Sequence, residues 1–353
     1  MLPRLSGVGG MVSFQNKLAA GLEARGIQTT QSMAGELCDA ILVVGGTRQL
    51  ATLWQARRRG IPIVQRLDGM NWLHRVRTRA HSFYTGWRHY LRAEYGNFIL
   101  SYIRSHLSDS IVYQSEFTRQ WWEKVHGDLR IPHHVIYNGV DLETYTPISM
   151  DTRPKDHYRL LLVEGSLMGG YEQGLRVAVE LVSRLYTAHS QDTQKGIELY
   201  IAGRVSPEVR DKFDHLVREQ HGEGHPIITW SGVVPGEEIP EIDRSAHLLY
   251  SADINAACPN SVIEALACGL PVLAFDTGAL PELIQTDAGR IVPYGGDPWK
   301  LDAPDVAGLC DAAYEILIEQ DQFRIAARAL AEEKYGLDRM VNAYLEVFKE
   351  LSG

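Results

Sequence analysis

The feature that most constrains the fold is an alternation of short apolar runs with helical patterns along all 353 residues. Runs such as "AILVVGG" (40–46) are apolar at consecutive positions and end in glycine or polar turn residues. Strands of this kind are covered on both faces and are joined by crossover helices, so they predict parallel sheets. The predicted strands span residues 40–46, 61–69, 110–115, 133–139, 159–165, 197–203, 226–232, 247–252, 271–277 and 289–294.

Helical patterns lie between these strands, among them residues 12–25, 49–59, 75–107, 116–126, 174–185 and 305–320. Residues 142–158 mix turn residues and charges without periodicity, which indicates an interdomain linker. We therefore predict an α/β protein with two Rossmann-like, doubly wound parallel-sheet domains that face a cleft, where such folds bind ligands. The predicted domains are residues 1–145, completed by about 338–353, and residues 146–337.

Composition narrows the class of protein and its location. The chain is 45% hydrophobic and 22% charged, as is typical of globular domains, and no run approaches the roughly 20 apolar residues of a membrane helix. The N-terminus lacks the pattern of a secretory signal. The four cysteines (Cys38, Cys258, Cys268 and Cys310) have no metal-ligand spacing. We expect a cytoplasmic protein with free thiols.

The charge is unevenly distributed between the two halves. Residues 1–150 hold 17 Lys and Arg against 11 Asp and Glu, a balance of +6. Residues 151–353 hold 18 against 33, a balance of −15, and the sum is the net charge of −9. A basic half beside an acidic half predicts two domains with different partners.

The N-terminal segment "SGVGGMVSFQNKLAAGLEARGI" (6–27) is a glycine-rich turn followed by an amphipathic helix. Glycine lets a backbone approach a phosphate, and the helix start supplies N–H groups and a partial positive charge. Such a turn also simply joins a strand to a helix. Only six residues precede the first glycine, Gly7, so the strand that ordinarily opens such a domain is predicted to be very short or missing.

The most informative segment is "CPNSVIEALACGLPV" (258–272). Ser261 and Glu264 have the spacing of a capping box, and Gly269 supplies a helix stop. Alternatively, a carboxylate in the first turn of a helix at a cleft accepts hydrogen bonds from sugar hydroxyls, while nearby N–H groups bind a phosphate. The two interpretations of Glu264 are compatible.

The longer segment "NSVIEALACGLPVLAFDTGALPELI" (260–284) resembles the donor-binding signature of the family 4 retaining glycosyltransferases, which have the GT-B fold. The matching order is Glu-Ala-x-Ala-x-Gly-x-Pro-Val followed by Gly-x-x-Pro-Glu. Three further segments resemble the family: "YQSEFTRQWW" (113–122), "VIYNGVDLETYTP" (135–147) and "GLDRMVNAYLEVFKEL" (336–351), the last being similar to a C-terminal helix that crosses back. Gly9 and Gly10 resemble its first glycine turn.

The resemblance implies that Glu264 contacts the ribose of a nucleotide and that the backbone of 278–280 approaches the donor phosphate and sugar. It implies no cofactor and no metal, because protein groups stabilise the leaving group. The expected donor-binding residues are Glu264, Gly9, Gly10, Ser166, Arg204, Asn260, Ser261, Val262, Gly278, Ala279 and Leu280. The expected acceptor-side residues are Arg66, Asn71, Trp72 and Arg75.

Four positions depart from the family pattern. A glutamate eight positions before Glu264 is replaced by Ala256, and a Gly-Arg pair by Gly165-Ser166. A following Lys-Gly is replaced by "GGYEQGL" (169–175), which holds no cation, and a His-Gly near the reacting carbon by Asp68-Gly69. A diphosphate leaving group still needs cationic or N–H support.

Arg204 is the expected substitute for the missing cations because it follows a strand, with Arg66, Arg176 and the N–H groups of Gly169 and Gly170 as further candidates. Arg204 is alternatively a solvated turn residue. Asp68 is the candidate catalytic residue: it would orient an acceptor hydroxyl or act as a base if its pKa were raised. The alternative for Asp68 is a turn aspartate before glycine.

These features predict transfer of a hexose-type sugar from a UDP- or GDP-type nucleotide sugar to a glycan or lipid-linked acceptor, with retention of configuration. The alternative is a catalytically degenerate nucleotide-sugar-binding protein of the same fold. Residues 71–107 are basic and aromatic, which leaves three interpretations: contact with an anionic membrane, direct binding of an acceptor, or a structural helix with solvated arginines. Nucleic acid is not expected, since the chain is acidic and carries no nucleic-acid motif.

Overall fold

The computed structural model describes residues 1, 3, 9–31, 38–77, 83–147, 152–167, 172–193, 195–222, 226–285 and 287–352, without the side chains of 77, 83–86, 189–193 and 352. Most of the segment before the first glycine turn, where the strand was predicted to be very short or missing, lies outside these residues, as do the glycines at 169 and 170.

The first domain is built on a parallel sheet of four strands, which neighbour each other in chain order. The strands are β1 (Ile41–Val44), β2 (Ile63–Leu67), β3 (Ser110–Tyr113) and β4 (His133–Val135). The first three are buried at every position, as their continuous apolar runs require. The helices are α1 (Gly10–Glu23), α2 (Leu50–Arg58), α3 (Leu73–Arg77), α4 (Phe83–His106) and α5 (Glu116–His126).

The second domain is built on a six-stranded parallel sheet with the order β10-β9-β8-β5-β6-β7. Its strands are β5 (His157–Ser166), β6 (Gly196–Arg204), β7 (Ile227–Gly232), β8 (Leu248–Tyr250), β9 (Val272–Phe275) and β10 (Gly289–Val292). Its helices are α6 (Glu172–Thr193), α7 (Pro207–His221), α8 (Ile239–Ser245), α9 (Asn260–Ala267), α10 (Leu280–Leu283), the 3₁₀ helix Pro298–Lys300, α11 (Val306–Ile318) and α12 (Gln320–Lys334). The strand order reverses between β5 and β8, which makes their carboxyl ends the expected ligand site.

The final helix, α13 (Leu337–Ser352), returns to the first domain as predicted. It packs on α1, where the rings of Phe14 and Tyr344 lie 5.4 Å apart. Helix α1 carries Gly21 at this contact because a Cβ there would lie 2.5 Å from Val341. The last helix thus buries the apolar face of α1.

Two predicted elements have different boundaries. The single helix predicted at 75–107 is described as two helices, α3 and α4, separated by residues outside the description. The predicted linker 142–158 is shorter, because β5 already begins at His157, where it pairs with Gly196 at the start of β6. The predicted domain boundary at 145/146 lies between β4 and β5.

Candidate functional site

A cavity of about 970 Å³ lies between the two domains. The first domain contributes the start of α1 and the residues at the end of β2. The second contributes the ends of β5 and β6, the loop after β8 and the start of α9. The cavity, called the cleft below, therefore lies at the carboxyl ends of the strands and at the reversal of strand order, where doubly wound folds bind ligands.

Helix α1 points its N-terminus at the cleft. Gly9 precedes the helix with φ of 149°, a conformation that favours glycine, and no side chain of the described residues caps it. Gly10, Ser13 and Lys17 follow along one helix face and also line the cleft. The N–H groups of the first turn lack intrahelical partners, so this end is suited to an anion.

Helix α9 presents a second N-terminus to the same space. It starts at Asn260, after Pro259, and no described side chain caps it. Ser261 and Glu264 are therefore the second and fifth helical residues, and the predicted capping box is wrong. The predicted stop is confirmed: Gly269 has φ of 67°, and Leu270 N–H donates to the Ala265 carbonyl at 2.8 Å, as in a Schellman motif.

Glu264 forms an ion pair across the cleft. Its Oε1 lies 3.0 Å from the Nζ of Lys17, and the two side chains are 13% and 21% exposed. Lys17 also donates to the Gly139 carbonyl at 3.4 Å. Lys17 was not among the predicted site residues. Its spacing from Gly10 and Ser13 along one face of α1 is the sequence pattern that indicates it.

Asn138 connects the two domains behind this ion pair. Its amide nitrogen donates to Asn260 Oδ1 and to the Cys258 carbonyl, both at 2.9 Å. Its amide oxygen accepts from Arg66 Nη2 at 2.7 Å. Asn138 belongs to the "YNG" segment matched in the sequence, and its role here is to fix the start of α9 against the first domain.

Arg66 is a buried cation at the cleft. It is 1% exposed, its guanidinium lies 3.8 Å from the centre of the Phe14 ring, and its Nε and Nη1 have no hydrogen-bond partner among the described residues. A buried guanidinium with unused donors is costly unless an anion approaches it. The side chain of Arg66 is therefore buried more deeply than we would expect of a residue that binds an acceptor at an exposed surface.

Asp68 follows β2 and lines the cleft. Burial raises the pKa of its carboxyl, and the nearby Arg66 opposes this shift. Its backbone carbonyl accepts a hydrogen bond from Trp122 Nε1 at 2.8 Å, which fixes the turn. Asp68 is therefore held in place, and its carboxyl loses its proton at a higher pH than a free aspartate does.

Arg204 and Ser166 are register neighbours at the ends of β6 and β5, and both line the cleft. Glu164 and Asp253 line it as well. Burial, and then the charge of Asp253, raise the pKa of Glu164 well above its usual value. This edge of the second domain thus holds one cation beside two carboxyls that disfavour ionisation.

Four predicted donor residues are not among those whose atoms line the cleft. The side chain of Val262 is fully buried in the core of the second domain. Ala279 and Leu280 are also fully buried, and Ala279 N–H donates to the Ala256 carbonyl at 2.8 Å. A Cβ on Gly278 would lie 2.5 Å from the backbone nitrogen of Ala256. The backbone at Gly278 therefore packs directly against the loop that contains Ala256. Ala256 itself lines the cleft, with residues 257–259.

Arg75, a predicted acceptor-side residue, pairs with a glutamate and is not among the residues that line the cleft. Its guanidinium makes two hydrogen bonds to Glu94, at 2.6 and 2.9 Å, and this contact lowers the pKa of Glu94 to about 2. The N–H of Asn71 donates to Asn97 Oδ1 at 2.9 Å. Trp72 lines the cleft, but its ring packs 5.1 Å from that of Trp299. Arg176 lines a separate cavity beside α6, α7 and α11, so it is also not a cleft residue.

A second cavity, of about 500 Å³, adjoins the cleft inside the first domain and is called the basic pocket below. It is lined by the turn after β1, including Arg48, and by one side of α4, including His89 and Arg92. Met11 and Asp68 line both cavities. Asp68 therefore stands where the two spaces meet.

Two contacts join the domains away from the cleft. The Glu282 carboxylate accepts the N–H groups of Glu116 and Phe117, each at 3.0 Å, at the start of α5. The Tyr137 hydroxyl donates to the same carboxylate at 3.2 Å. Beside this contact, Trp299 packs on Trp72 and Trp121, and its ring lies 6.3 Å from that of Phe117.

The described ranges contain no group of three or more His, Cys, Asp or Glu residues arranged to hold a metal ion. Among the described helices, none is both long enough and apolar enough to cross a bilayer.

Residues 159–317 match the family model described as "Glycosyl transferases group 1". An uncharacterized glycosyltransferase of Methanocaldococcus jannaschii is 24% identical over 229 residues, which are 61% of this chain and 53% of that protein. A D-inositol 3-phosphate glycosyltransferase of Salinispora arenicola is 26% identical over 227 residues, which are 61% of this chain and 49% of that protein. The match spans about half the length of each relative.

Among solved structures, Anabaena Alr3699/HepE in complex with UDP and glucose superimposes with a TM-score of 0.64. The sequences are 15% identical, and the match covers 98% of each chain. This likeness shows the fold, which is the two-domain GT-B architecture. The second domain therefore resembles the group 1 glycosyl transferases over residues 159–317, and the chain as a whole has the GT-B architecture.

Proposed function

We propose that the protein transfers a hexose-type sugar from a UDP- or GDP-type nucleotide sugar to a glycan or lipid-linked acceptor, with retention of configuration. The observation that carries the proposal is the convergence of two uncapped helix N-termini and the Lys17–Glu264 ion pair in one cleft. N–H groups and a cation suit a diphosphate, and a carboxylate suits ribose hydroxyls.

In this proposal, Glu264 accepts hydrogen bonds from the ribose, and the first turns of α1 and α9 face the diphosphate. Lys17 lies beside Glu264 and is within the same cleft, so it supplies a positive charge from the first domain. Arg204 supplies one from the second domain. These groups stand in for the cations that the resemblance implies at Ser166 and in residues 169–175, so the proposed reaction uses no metal or other cofactor.

The unused donors of buried Arg66 support an anionic ligand in the same space. Arg66 is assigned to the leaving group rather than to the acceptor, because its guanidinium lies behind Asn138 and the start of α9. A fixed cation in a site with little water stabilises developing negative charge on the departing diphosphate.

Asp68 is assigned to the acceptor hydroxyl. It stands between the cleft and the basic pocket, and burial raises its pKa. In its ionised form it accepts the proton or the hydrogen bond of the attacking hydroxyl. Transfer is then expected to increase with pH through the raised pKa of Asp68.

The comparisons support the donor and the acceptor separately. The Anabaena structure contains UDP and glucose, which agrees with a UDP-type donor, and the Salinispora relative is named for an inositol 3-phosphate. A phosphate-bearing acceptor agrees with the arginines of the basic pocket. We place the reaction in the cytoplasm, with peripheral contact to an anionic membrane.

One observation favours a second candidate, a binding protein that has lost transfer. Glu164 and Asp253 line the cleft beside Ser166, where the resemblance implies a cation. Without that cation, negative charge that develops on the leaving diphosphate is less stabilised beside Ser166, which slows transfer more than it weakens binding. Binding without turnover is the distinguishing property of this candidate.

The test is a thermal-shift screen against UDP, GDP and their hexose conjugates, followed by assays of donor hydrolysis and transfer. A ligand at 100 times its Kd stabilises the folded state by about 2.7 kcal/mol. Stabilisation with turnover supports the transferase, and stabilisation without turnover supports the binding protein. No shift with any diphosphate nucleotide would contradict both.

A further inference from the structure

Helix α4 exposes a continuous apolar stripe on the side facing away from the sheet. Trp87, Leu91, Tyr95 and Phe98 are between 49% and 59% exposed. At 100° per residue these four positions lie within an arc of about 80°. Soluble proteins rarely expose contiguous apolar surface of this kind unless it binds something.

Helix α2 extends the same surface. Trp54 is 39% exposed, and its indole nitrogen donates to the hydroxyl of Tyr102, which continues the stripe along α4. The stripe therefore covers two helices and more than three turns of α4, and we call these six residues the aromatic face. Tryptophan and tyrosine are the residues that favour the boundary between water and lipid.

The segment that carries the aromatic face is rich in arginine. Residues 40–106 hold eleven arginines and no lysine, against two acids, Asp68 and Glu94. Arg66 and Arg104 are buried, and Arg57 pairs with Asp109. Arg58 and Arg88 are exposed next to Trp54 and Trp87. Glu94 is neutralised by Arg75, and Asp68 faces the cavities rather than this surface. A basic surface with an apolar stripe is complementary in charge and polarity to an anionic layer with an apolar interior.

The basic pocket opens beside the aromatic face. Tyr95 belongs to both, and Arg92 and His89 line the pocket on the adjacent side of α4. Asp68 lies at the far side of the pocket, where it meets the cleft. A molecule with an anionic head and an apolar tail would reach Asp68 with its head while its tail remained at the aromatic face.

We propose that the aromatic face docks the first domain on a bilayer containing anionic lipids, so that the basic pocket receives the head of a lipid-linked acceptor from the membrane surface. The part concerning the acceptor rests on the proposed function, whereas docking itself does not. Docking buries the aromatic side chains at the level of the lipid headgroups, and the arginines contact the negative charges there.

The test is flotation of the full chain with vesicles of phosphatidylcholine alone and with vesicles containing 30% phosphatidylglycerol, over a range of salt. We expect binding to the anionic vesicles only, weakening as salt rises. Arg58→Gln with Arg88→Gln should weaken binding about 25-fold, since each arginine near such a surface contributes about fivefold. Leu91→Ser with Phe98→Ser should weaken binding at least about tenfold.

The matched control is Ile318→Ser with Ile325→Ser, two similarly exposed apolar residues of the second domain, which should bind like the parent. Nucleotide-induced thermal shifts of every variant should equal those of the parent, which separates docking from the proposed function. Binding that is absent, or that the Leu91 and Phe98 changes leave intact, overturns the proposal. If the parent is a dimer and these changes convert it to a monomer, the proposal is also overturned, because the aromatic face then binds a second copy of the chain.

Discussion

Lys17 and Glu264 lie 3.0 Å apart, although 247 residues separate them in the sequence. One side chain comes from α1 of the first domain and the other from α9 of the second. The ion pair therefore joins the domains at the point where the two helix N-termini converge. It also means that the carboxylate assigned to the ribose already has a partner in the free protein.

Glu264→Gln should weaken nucleotide binding more than it lowers the melting temperature. Glutamine keeps the shape but loses the charge-assisted hydrogen bond to ribose, which is worth about 1.5–3 kcal/mol, or about 10- to 150-fold in affinity. No capping role is lost, since α9 has no side-chain cap among the described residues. Calorimetric titration and thermal unfolding measure the two effects, with Glu332→Gln, on an exposed helical surface, as the control.

If Glu264→Gln binds the donor as tightly as the parent does, Glu264 does not contact the nucleotide. If the melting temperature falls and the donor affinity does not, the role of Glu264 is only to stabilise the fold through its ion pair with Lys17.

Asp68→Asn should abolish most transfer while leaving nucleotide binding nearly unchanged. General acid–base groups contribute about 10²–10⁴-fold to rates, and asparagine cannot accept a proton. The parent rate should rise with pH through the raised pKa of Asp68, because only the ionised carboxyl accepts the proton. Rates at saturating donor across pH check this, and a pH profile unchanged by the substitution would contradict the assignment.

Glu282→Ala should destabilise the contact between the domains. The substitution leaves the N–H groups of Glu116 and Phe117 without their acceptor and removes a charge from the start of α5. The expected cost is about 2–4 kcal/mol in the free energy of unfolding. Tyr137→Phe removes one hydrogen bond to the same carboxylate and should cost about 0.5–1.5 kcal/mol.

Denaturant unfolding of the single and double variants tests this contact. The double variant should cost less than the sum of the singles, because Glu282 and Tyr137 share one hydrogen bond. Additive costs would show that the tyrosine acts independently of the carboxylate.

His247 gives the protein a specific dependence of stability on pH. Burial, and then neighbouring cations, lower its pKa to about 3, and its Nδ1 accepts the N–H of Arg159 at 3.0 Å. The unfolded chain, with a pKa near 6.5, binds the proton more tightly. This contribution is therefore fully present above about pH 6.5 and is lost as the pH falls toward 3, by at most about 1.4 kcal/mol per pH unit.

His247→Asn retains an acceptor for the Arg159 N–H and has no proton to bind. The stability of the parent relative to this variant should therefore decrease between pH 6.5 and pH 4. Chemical unfolding at several pH values measures the difference, and a difference that does not change with pH would contradict the assignment.

The fold could be predicted because each strand is specified by a pattern of neighbouring residues in the sequence. All ten strands lie at predicted runs, since parallel strands such as β1 and β2 need continuous apolar residues to be covered on both faces. The stop of α9 at Gly269 was predictable for the same reason, because a left-handed turn favours glycine whatever surrounds it.

The site was predictable only where it coincides with local patterns. Glu264 lies within a segment matched to a known signature, whereas Lys17 and Asn138 acquire their roles from partners more than 100 residues away. The capping box was misread because Pro259, in an extended conformation, starts α9 before Ser261. Arg75 looked available because its partner, Glu94, is on another helix.

The most direct test of the central claim is calorimetric titration of the parent, Lys17→Met and Arg204→Ala with UDP, GDP and the corresponding nucleosides. If these cations support the diphosphate, each substitution weakens the cognate diphosphate by about 10- to 150-fold, equivalent to about 1.5–3 kcal/mol. Lys17→Met should leave the nucleoside bound as well as in the parent, or better, because Glu264 loses its competing partner. Parent-like binding of the diphosphate by both variants would contradict the claim that this cleft binds a nucleotide sugar through these cations.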